Sequence, residues 1–529
     1  MNANVKNDSN ETFPPSFVDW NQRALPVTCT TSHVCRAWRA VILGSPALWG
    51  GLVDLNVLQY ISEDGVQEIM KRTGTAPLSV QGSIRSARSR KFTVSLINTD
   101  WSRIRVFDVT IRDSLVCLPS KSDWKALFTS AKSLEYFNFS LVDGDWGFDG
   151  VAFRDTESAP ALFGNDAPQL REMKSVRLLQ IKMWSPWVSQ LTHLHVDGSG
   201  AYEITISEWL HALGNMGPRL QTLAISWIRN PPGPLEQLPT VQMPSLTDIK
   251  LEPSPIFAAS LFLDHLFPSP GCNIHMNMFA PSAPMQPDHI SLATQVLSRY
   301  AESFLVHYNP NPWPLYIGFT TGYFHVKRRA QPIGTHYPCM TVHVGNGHSQ
   351  SQDWSHALFL LSVLSSCNLT DVVRVELSFK NSVHNHPDVQ GLLRALSTVE
   401  VLRIKGHQTL LGFVPQADTP TDAMAGTPIF PNLSRVRIDS HSFSDQEGQV
   451  PADKDAERSY ELFFKWRSCI GSPVSILDLT QCQERIPLTK LDGLSGLMVR
   501  WHDESGIAQE YMCGSGNPNL LASWGNETA

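Results

Sequence analysis

Short apolar stretches recur along the chain in a loose LxxLxL pattern, with an aliphatic or aromatic side chain at each L position. The instances are IRVFDV (104–109), LEYFNF (134–139), LTHLHV (191–196), LQTLAI (220–225) and LTDIKL (246–251), with LREMKSV (170–176) a poorer match. Later come VVRVEL (372–377), VEVLRI (399–404), LSRVRI (433–438) and VSILDL (474–479). Alternation at the last positions predicts β-strands, because successive side chains of a strand point to opposite faces. Between them lie stretches with helical spacing. Trp209, Leu210 and Leu213 share a face of 207–216, Val389, Leu392, Leu393 and Leu396 a face of 387–397, and Leu462, Phe463 and Trp466 a face of 457–468. Strand and helix in repeated succession predict an α/β array in which each unit hides its apolar side only when the next is stacked on it.

The same periodicity divides the chain. Residues 1–20 are polar and are expected to form a disordered tail. Residues 21–50 are expected to form a small helical fragment: Val34, Trp38, Val41 and Ile42 follow helical spacing, and Gly44-Ser45-Pro46 stops the helix. VDLNV then reads as a strand, 63–73 as a helix ending at Gly74, and PLSVQGSI as a second strand. The array is expected over 51–504. Its proline-rich middle, 252–365, breaks the rhythm, with a helix in HISLATQVLSRYAES and strands in PLYIGFT and MTVHVG. Residues 415–432 read as a turn-rich surface loop, and 505–529 as a frayed tail.

Composition narrows the class. In 529 residues, 42% are hydrophobic and 17% charged, a globular balance. A net charge of −7 argues against general nucleic-acid binding. The first residues, MNANVKNDSNETFPPSF, contain no apolar signal-peptide core, and no apolar run is long enough for a bilayer span. A cytoplasmic or nuclear protein without a membrane partner is expected. Nine scattered cysteines form no CxxC, so neither a disulfide framework nor a zinc site is expected. No phosphate-binding glycine loop, nucleophile elbow or HExxH occurs. His193 with His195, and His384 with His386, share strand faces at i and i+2, but no Cys, Asp or Glu at sensible spacing completes a metal set. No catalytic residue, cofactor or metal is expected, and the chain does not read as an enzyme.

Residues 32–49, SHVCRAWRAVILGSPALW, resemble the second half of the F-box in basidiomycete fungal F-box-like proteins, roughly SxVCRxWRxxALxxPxLW. The resemblance continues through RTGTAPLSV (72–80) and the strand–helix repeats to RSCIGSPVSILDLTQC (467–482). The repeats are similar to leucine-rich repeats, at intervals that overlap and exceed their usual ~20–29 residues. The resemblance implies an irregular leucine-rich-repeat-like solenoid, parallel strands on one side and helices on the other, behind an F-box-like fragment. It also implies a substrate-recruiting subunit of an SCF ubiquitin ligase, docked on a Skp-type adaptor. The candidates for that contact are Leu25, Pro26, Val34, Cys35, Trp38, Leu48 and Trp49. The family opens on an LPxE-type helix, whereas Leu25-Pro26 here has no glutamate two residues on. The fragment therefore reads as degenerate or truncated, and a repeat scaffold that has lost adaptor binding is the second reading. Trp38 and Trp49 are expected mainly as core residues locking this helix onto the first repeat, with partial exposure of Leu48 and Trp49 to a partner as the alternative.

Strand geometry supplies the candidates for substrate binding. The fourth and sixth positions of each LxxLxL strand face the core, so the residues between them face the other way. On that face stand Tyr136, Asn138, His193, His195, Asp197, Thr222 and Ser226. They are followed by Asp248, Lys250 and Glu252, then Arg374, Glu376, Arg403, Lys405, Arg435, Arg437 and Asp439. The basic late strands, with Arg374, Arg403, Lys405, Arg435 and Arg437, read either as a solvated charged face or as a patch for an acidic or phosphorylated protein segment, and His193 and His195 on an early strand join them as substrate-binding candidates.

Overall fold

A computed structural model describes residues 23–112, 123–141, 161–176, 182–197, 204–229, 237–280, 286–308, 315–320, 323–328, 339–346, 355–377, 386–405, 408–414, 428–439, 453–482, 488–503 and 505–523. The expected N-terminal tail and most of the expected loop at 415–432 lie outside them. The chain is α/β with a mostly parallel sheet and divides into two units. One comprises Met1–Ser254 with His265–Ser269, the other Pro255–Asp264 with Pro270–Ala529.

In the first unit, strands pair in chain order and in parallel: β1 (Val53–Asp54), β2 (Leu78–Ile84), β3 (Ile104–Ile111), β4 (Tyr136–Leu141), β5 (Glu172–Val176), β6 (His193–Asp197) and β7 (Thr222–Ile225). A short β8 (Val241–Met243) stands apart, and β9 (Asp248–Pro255) continues the series beside β7. Short β10 (Leu266–Pro268) pairs with β8. The register puts like positions side by side. Val80, Phe107, Phe137, Met173, Leu194, Leu223 and Ile249 form one buried row across seven strands. Phe107 and Phe137 stack with centroids 5.5 Å apart. The strand entries repeat as well. The Glu135 amide donates to the Arg105 carbonyl (2.8 Å), Arg171 to Glu135 (2.9 Å), Thr192 to Arg171 (2.8 Å), Gln221 to Thr192 (2.8 Å) and Thr247 to Gln221 (2.9 Å). Each bond satisfies a backbone donor that a lone unit would leave unmade.

The second unit begins with a different topology. β11 (Asn273–Ala280) runs parallel to β14 (Cys339–Asn346), while β12 (Leu315–Thr320) and β13 (Tyr323–Arg328) form an antiparallel pair and β13 lies antiparallel to β14. The expected irregular middle thus holds an antiparallel meander. From β12 the parallel series resumes through β15 (Arg374–Leu377), β16 (Val401–Lys405), β17 (Arg435–Asp439), β18 (Ile476–Gln481) and β19 (Met498–His502). Val375, Leu402, Val436, Leu477 and Val499 make its buried row.

Two expectations change, and one helix is new. VDLNV contributes only two strand residues. The Asp54 side chain accepts from the Asn56 amide (2.9 Å) and starts the helix Leu55–Leu58. The 505–529 segment is more than a tail: β20 (Ala508–Met512) closes an antiparallel hairpin on β19, and Tyr511 and Cys513 are buried. In the connecting turn, Asp503 Oδ1 accepts from the Ser505 and Ile507 amides, both at 3.0 Å. The helix Ile256–Asp264 lacks amphipathic spacing because it is buried nearly all round, from Ile256 through Leu263.

Candidate functional site

The N-terminal fragment forms helices Ala24–Thr31, Arg36–Leu43 and Pro46–Gly50. Leu25, Ile42 and Trp49 fix it to the first unit, and Trp49 is 3% exposed. The Trp49 indole donates to the Ile42 carbonyl (2.7 Å), and the Arg72 guanidinium lies 5.1 Å from its ring. Arg23 Nη1 donates to Asp54 Oδ2 at 2.7 Å. Trp38 behaves differently from its expected core role. It is 55% exposed, and Ile42 is the buried residue of its helix. Val41 (65%) lies one turn on from Trp38 on the same side of the helix, and Val34 (71%) is exposed just before its Cys35 N-cap. Val27 and Leu48 are exposed nearby in the sequence, Cys35 is exposed with its sulfur accepting from the Trp38 amide, and Pro26 is half-buried. Of the seven adaptor candidates, Val34, Cys35, Trp38 and Leu48 face outward, whereas Leu25 and Trp49 face the fold.

On the second unit, the predicted basic face has its own counter-charges. Arg403 pairs with Glu376 (3.1 Å) and with Asp439, Arg437 pairs with Asp439 (3.3 Å), and Arg435 pairs with Asp478. All three carboxylates are buried: Glu376 is 6% exposed, Asp439 7% and Asp478 1%. The register explains the meeting. Glu376, Arg403, Arg437, Asp478 and Arg500 occupy one row across β15–β19, with charge signs that alternate in part. Burial pushes the Asp478 carboxyl up. Hydrogen bonds from the Thr480 hydroxyl (2.7 Å) and amide (3.1 Å), and from Arg435, outweigh burial and hold it below its ordinary range. The three arginines are thus ladder cations matched to three buried anions, not an unopposed anion-binding patch. Asp478 carries its own signal in the sequence. It occupies the outward position of VSILDL under the same alternation rule that singled out Arg435 and Arg437. Arg374 shares the face; the Lys405 side chain lies outside the described ones.

On the first unit, the corresponding row reads Gln81, Asp108, Asn138, Lys174, His195, Ala224 and Lys250. Asn138 is 7% exposed and donates to Asp108 Oδ1 at 2.7 Å. Burial, followed by the Lys174 charge, lowers His195 to about 4; Asp197 pulls the other way and Lys250 adds the smallest lowering. His193 Nδ1 lies 2.9 Å from the Thr192 hydroxyl and 4.0 Å from Glu172. His386 caps the helix Pro387–Ala395, while His384 lies outside the described residues. Among the described residues, no group of three or more His, Cys, Asp or Glu side chains is placed to hold a metal ion, and no disulfide joins the cysteines.

No helix among the described residues is long and apolar enough to cross a membrane. Comparison with protein-family models gives no match, and neither does comparison with curated proteins.

Proposed function

We propose that this chain is a protein–protein interaction module of the substrate-recruiting F-box type. In this reading its strand–helix repeats form an irregular leucine-rich-repeat-like solenoid that holds a protein substrate, and its N-terminal fragment docks on a Skp-type adaptor in the cytoplasm or nucleus. The observation that carries it is the exposure of three apolar side chains, Val34 just before the helix Arg36–Leu43 and Trp38 and Val41 on it, while Ile42 is buried and its carbonyl accepts from the Trp49 indole. Single exposed apolar residues are ordinary, but three large ones within the eight residues of VCRAWRAV support a protein-docking surface. The chain-order parallel pairing and the repeated strand-entry hydrogen bonds support the solenoid part. The mechanism is proximity, and no residue of this chain is assigned to chemistry, a cofactor or a metal.

The substrate class suggested by the late arginines is not carried forward, because their charge is matched by Glu376, Asp439 and Asp478. One observation favours the second reading, a repeat scaffold without adaptor binding: Leu25, in the place of the family's first contact motif, is 1% exposed and turned into its own core. Co-purification of the tagged full chain with a Skp-type adaptor tests the first reading. Recovery of the adaptor supports it, and its absence under conditions that retain other partners supports the scaffold.

A further inference from the structure

A cavity of about 240 Å³ lies at the start of the polar sheet face of the first unit. Its walls include Arg23, Asp54, Gln81, Ser83, Asp108 and Thr110. The last four belong to β2 and β3, where the register sets Gln81 against Asp108 and Ser83 against Thr110. The cavity therefore opens on the face opposite the Val80–Phe107 core row. Its far wall comes from Arg23, Ala24 and Leu25 at the head of the N-terminal fragment. Gly82 makes the shape achievable. It has φ +123°, and a Cβ there would meet the Asn56 amide nitrogens at 2.8 and 3.1 Å. Asn56 is in turn held in the wall by the Ser83 amide, which donates to its Oδ1 at 3.2 Å.

The polar groups of the cavity are mostly acceptors, and one charge is unmatched. Asp54 is fully engaged, accepting from Arg23 and from the Asn56 amide. Asp108 takes one neutral hydrogen bond, from Asn138, and among the described residues it has no cationic partner. Its Oδ2 and the hydroxyls of Ser83 and Thr110 have no hydrogen-bond partner among the described residues, and Ser83 is 7% exposed. The volume is below that of drug-sized sites, which run to several hundred Å³. It suits the end of one side chain.

We propose that this cavity receives a cationic side chain, the ammonium of lysine or the guanidinium of arginine, from a polypeptide lying on the sheet face, with Asp108 as its counter-ion. A donor-only head group is what an ionised carboxylate flanked by hydroxyls and an amide oxygen selects. The same row continues from Asp108 through Asn138 to Lys174, so the cavity is continuous with the face assigned to the substrate. The inference rests on that assignment only for the source of the side chain; the site itself stands on the cavity.

Saturation-transfer NMR on the intact chain tests it with three probes: acetyl-Gly-Lys-Gly-amide, the same peptide with glutamine for lysine, and n-butylamine. The expected result is saturation of the lysine side-chain methylenes and none of the glutamine side-chain methylenes. Asp108→Asn, which preserves shape and the Asn138 contact, weakens binding about 10- to 100-fold, the scale of a charge-assisted hydrogen bond. Thr110→Val, which keeps the charge, weakens it less. An unchanged melting temperature in both variants separates binding from folding. No saturation of the lysine peptide, or equal saturation in Asp108→Asn, overturns the site. Binding of n-butylamine with none of the lysine peptide overturns the polypeptide source. Because adaptor capture is not read in this experiment, its outcome is distinguishable from that of the adaptor test.

Discussion

Arg435 on β17 reaches diagonally across the sheet to Asp478 on β18, and the receiving carboxylate is 1% exposed while the arginine side chain keeps about a third of its surface in water. The pair lies between a surface ion pair, of small net value, and a buried one, whose disruption costs about 3–5 kcal/mol. Asp478→Asn keeps the shape and removes the charge that Arg435 pairs with. A loss of about 1–3 kcal/mol in denaturant unfolding is expected, and an unchanged midpoint would show that the ladder contributes nothing. The double reversal Arg435→Glu with Arg437→Glu sets carboxylates against Asp478 and Asp439, so it reports stability before it reports partner capture.

Arg467 is a second buried cation of another kind. It is 0% exposed and donates to the carbonyls of Ile429 (2.8 Å) and Phe430 (3.1 Å), pairs with no carboxylate among the described residues, and burial lowers it to about 10. It ties the helix Asp453–Cys469 to the turn before β17, where Phe430 holds φ +56°. Arg467→Met orphans two carbonyls and is expected to destabilise by about 1–3 kcal/mol in urea unfolding. A gain in stability would mean that the cost of burying the charge exceeds the value of both bonds.

His195 gives a pH signature. Its folded value of about 4 lies below the ordinary 6.5, so between those values the unfolded chain binds a proton that the native chain does not. Stability accordingly falls as pH drops from 6.5 towards 4, then stops responding to this group. His195→Gln flattens that part of the curve. NMR titration of the imidazole should give a midpoint near 4; a midpoint near 6.5 would refute the burial and lysine repulsion inferred for it.

The C-terminal hairpin carries the opposite sign. Asp503 is held down to about 2 by hydrogen bonds from the Ser505 hydroxyl, the Gln509 amide and the Ile507 and Ser505 backbone. Its contribution is complete above the ordinary carboxylate range and is lost as pH falls through about 2. Amide exchange at Ser505 and Ile507 should stay slow at pH 4 and accelerate in Asp503→Asn at the same pH. Equal exchange in the two proteins would contradict the turn's dependence on this carboxylate.

The strands were legible because their signal is local. In LTHLHV and LSRVRI, alternation alone places Leu194, Val196, Val436 and Ile438 in the core, where they are at most 2% exposed. The helix Ile256–Asp264 was not legible, because a helix buried on nearly every side has no polar stripe to reveal its period. The candidate site divides the same way. The outward position of Arg435 follows from alternation, but its neutralisation by Asp478 depends on which strands adjoin and in what register, a long-range fact. Trp38 shows the limit most plainly. Helical spacing groups it with Ile42, yet Ile42 is buried and Trp38 is not, a difference set by long-range packing rather than by spacing. The cavity at Asp108 has no local signal, since its walls come from segments as far apart as Arg23 and Thr110.

Calorimetric titration of the intact chain with a purified Skp-type adaptor tests the central claim most directly, in parallel with a Val34→Glu, Trp38→Glu, Val41→Glu variant. These three side chains are more than half exposed, so the variant is expected to melt at the wild-type temperature. The account predicts saturable binding by the wild type and at least about a tenfold loss in the variant, as for an interface built on a few apolar anchors. Absence of binding by the wild type, or equal binding by the variant, would contradict it.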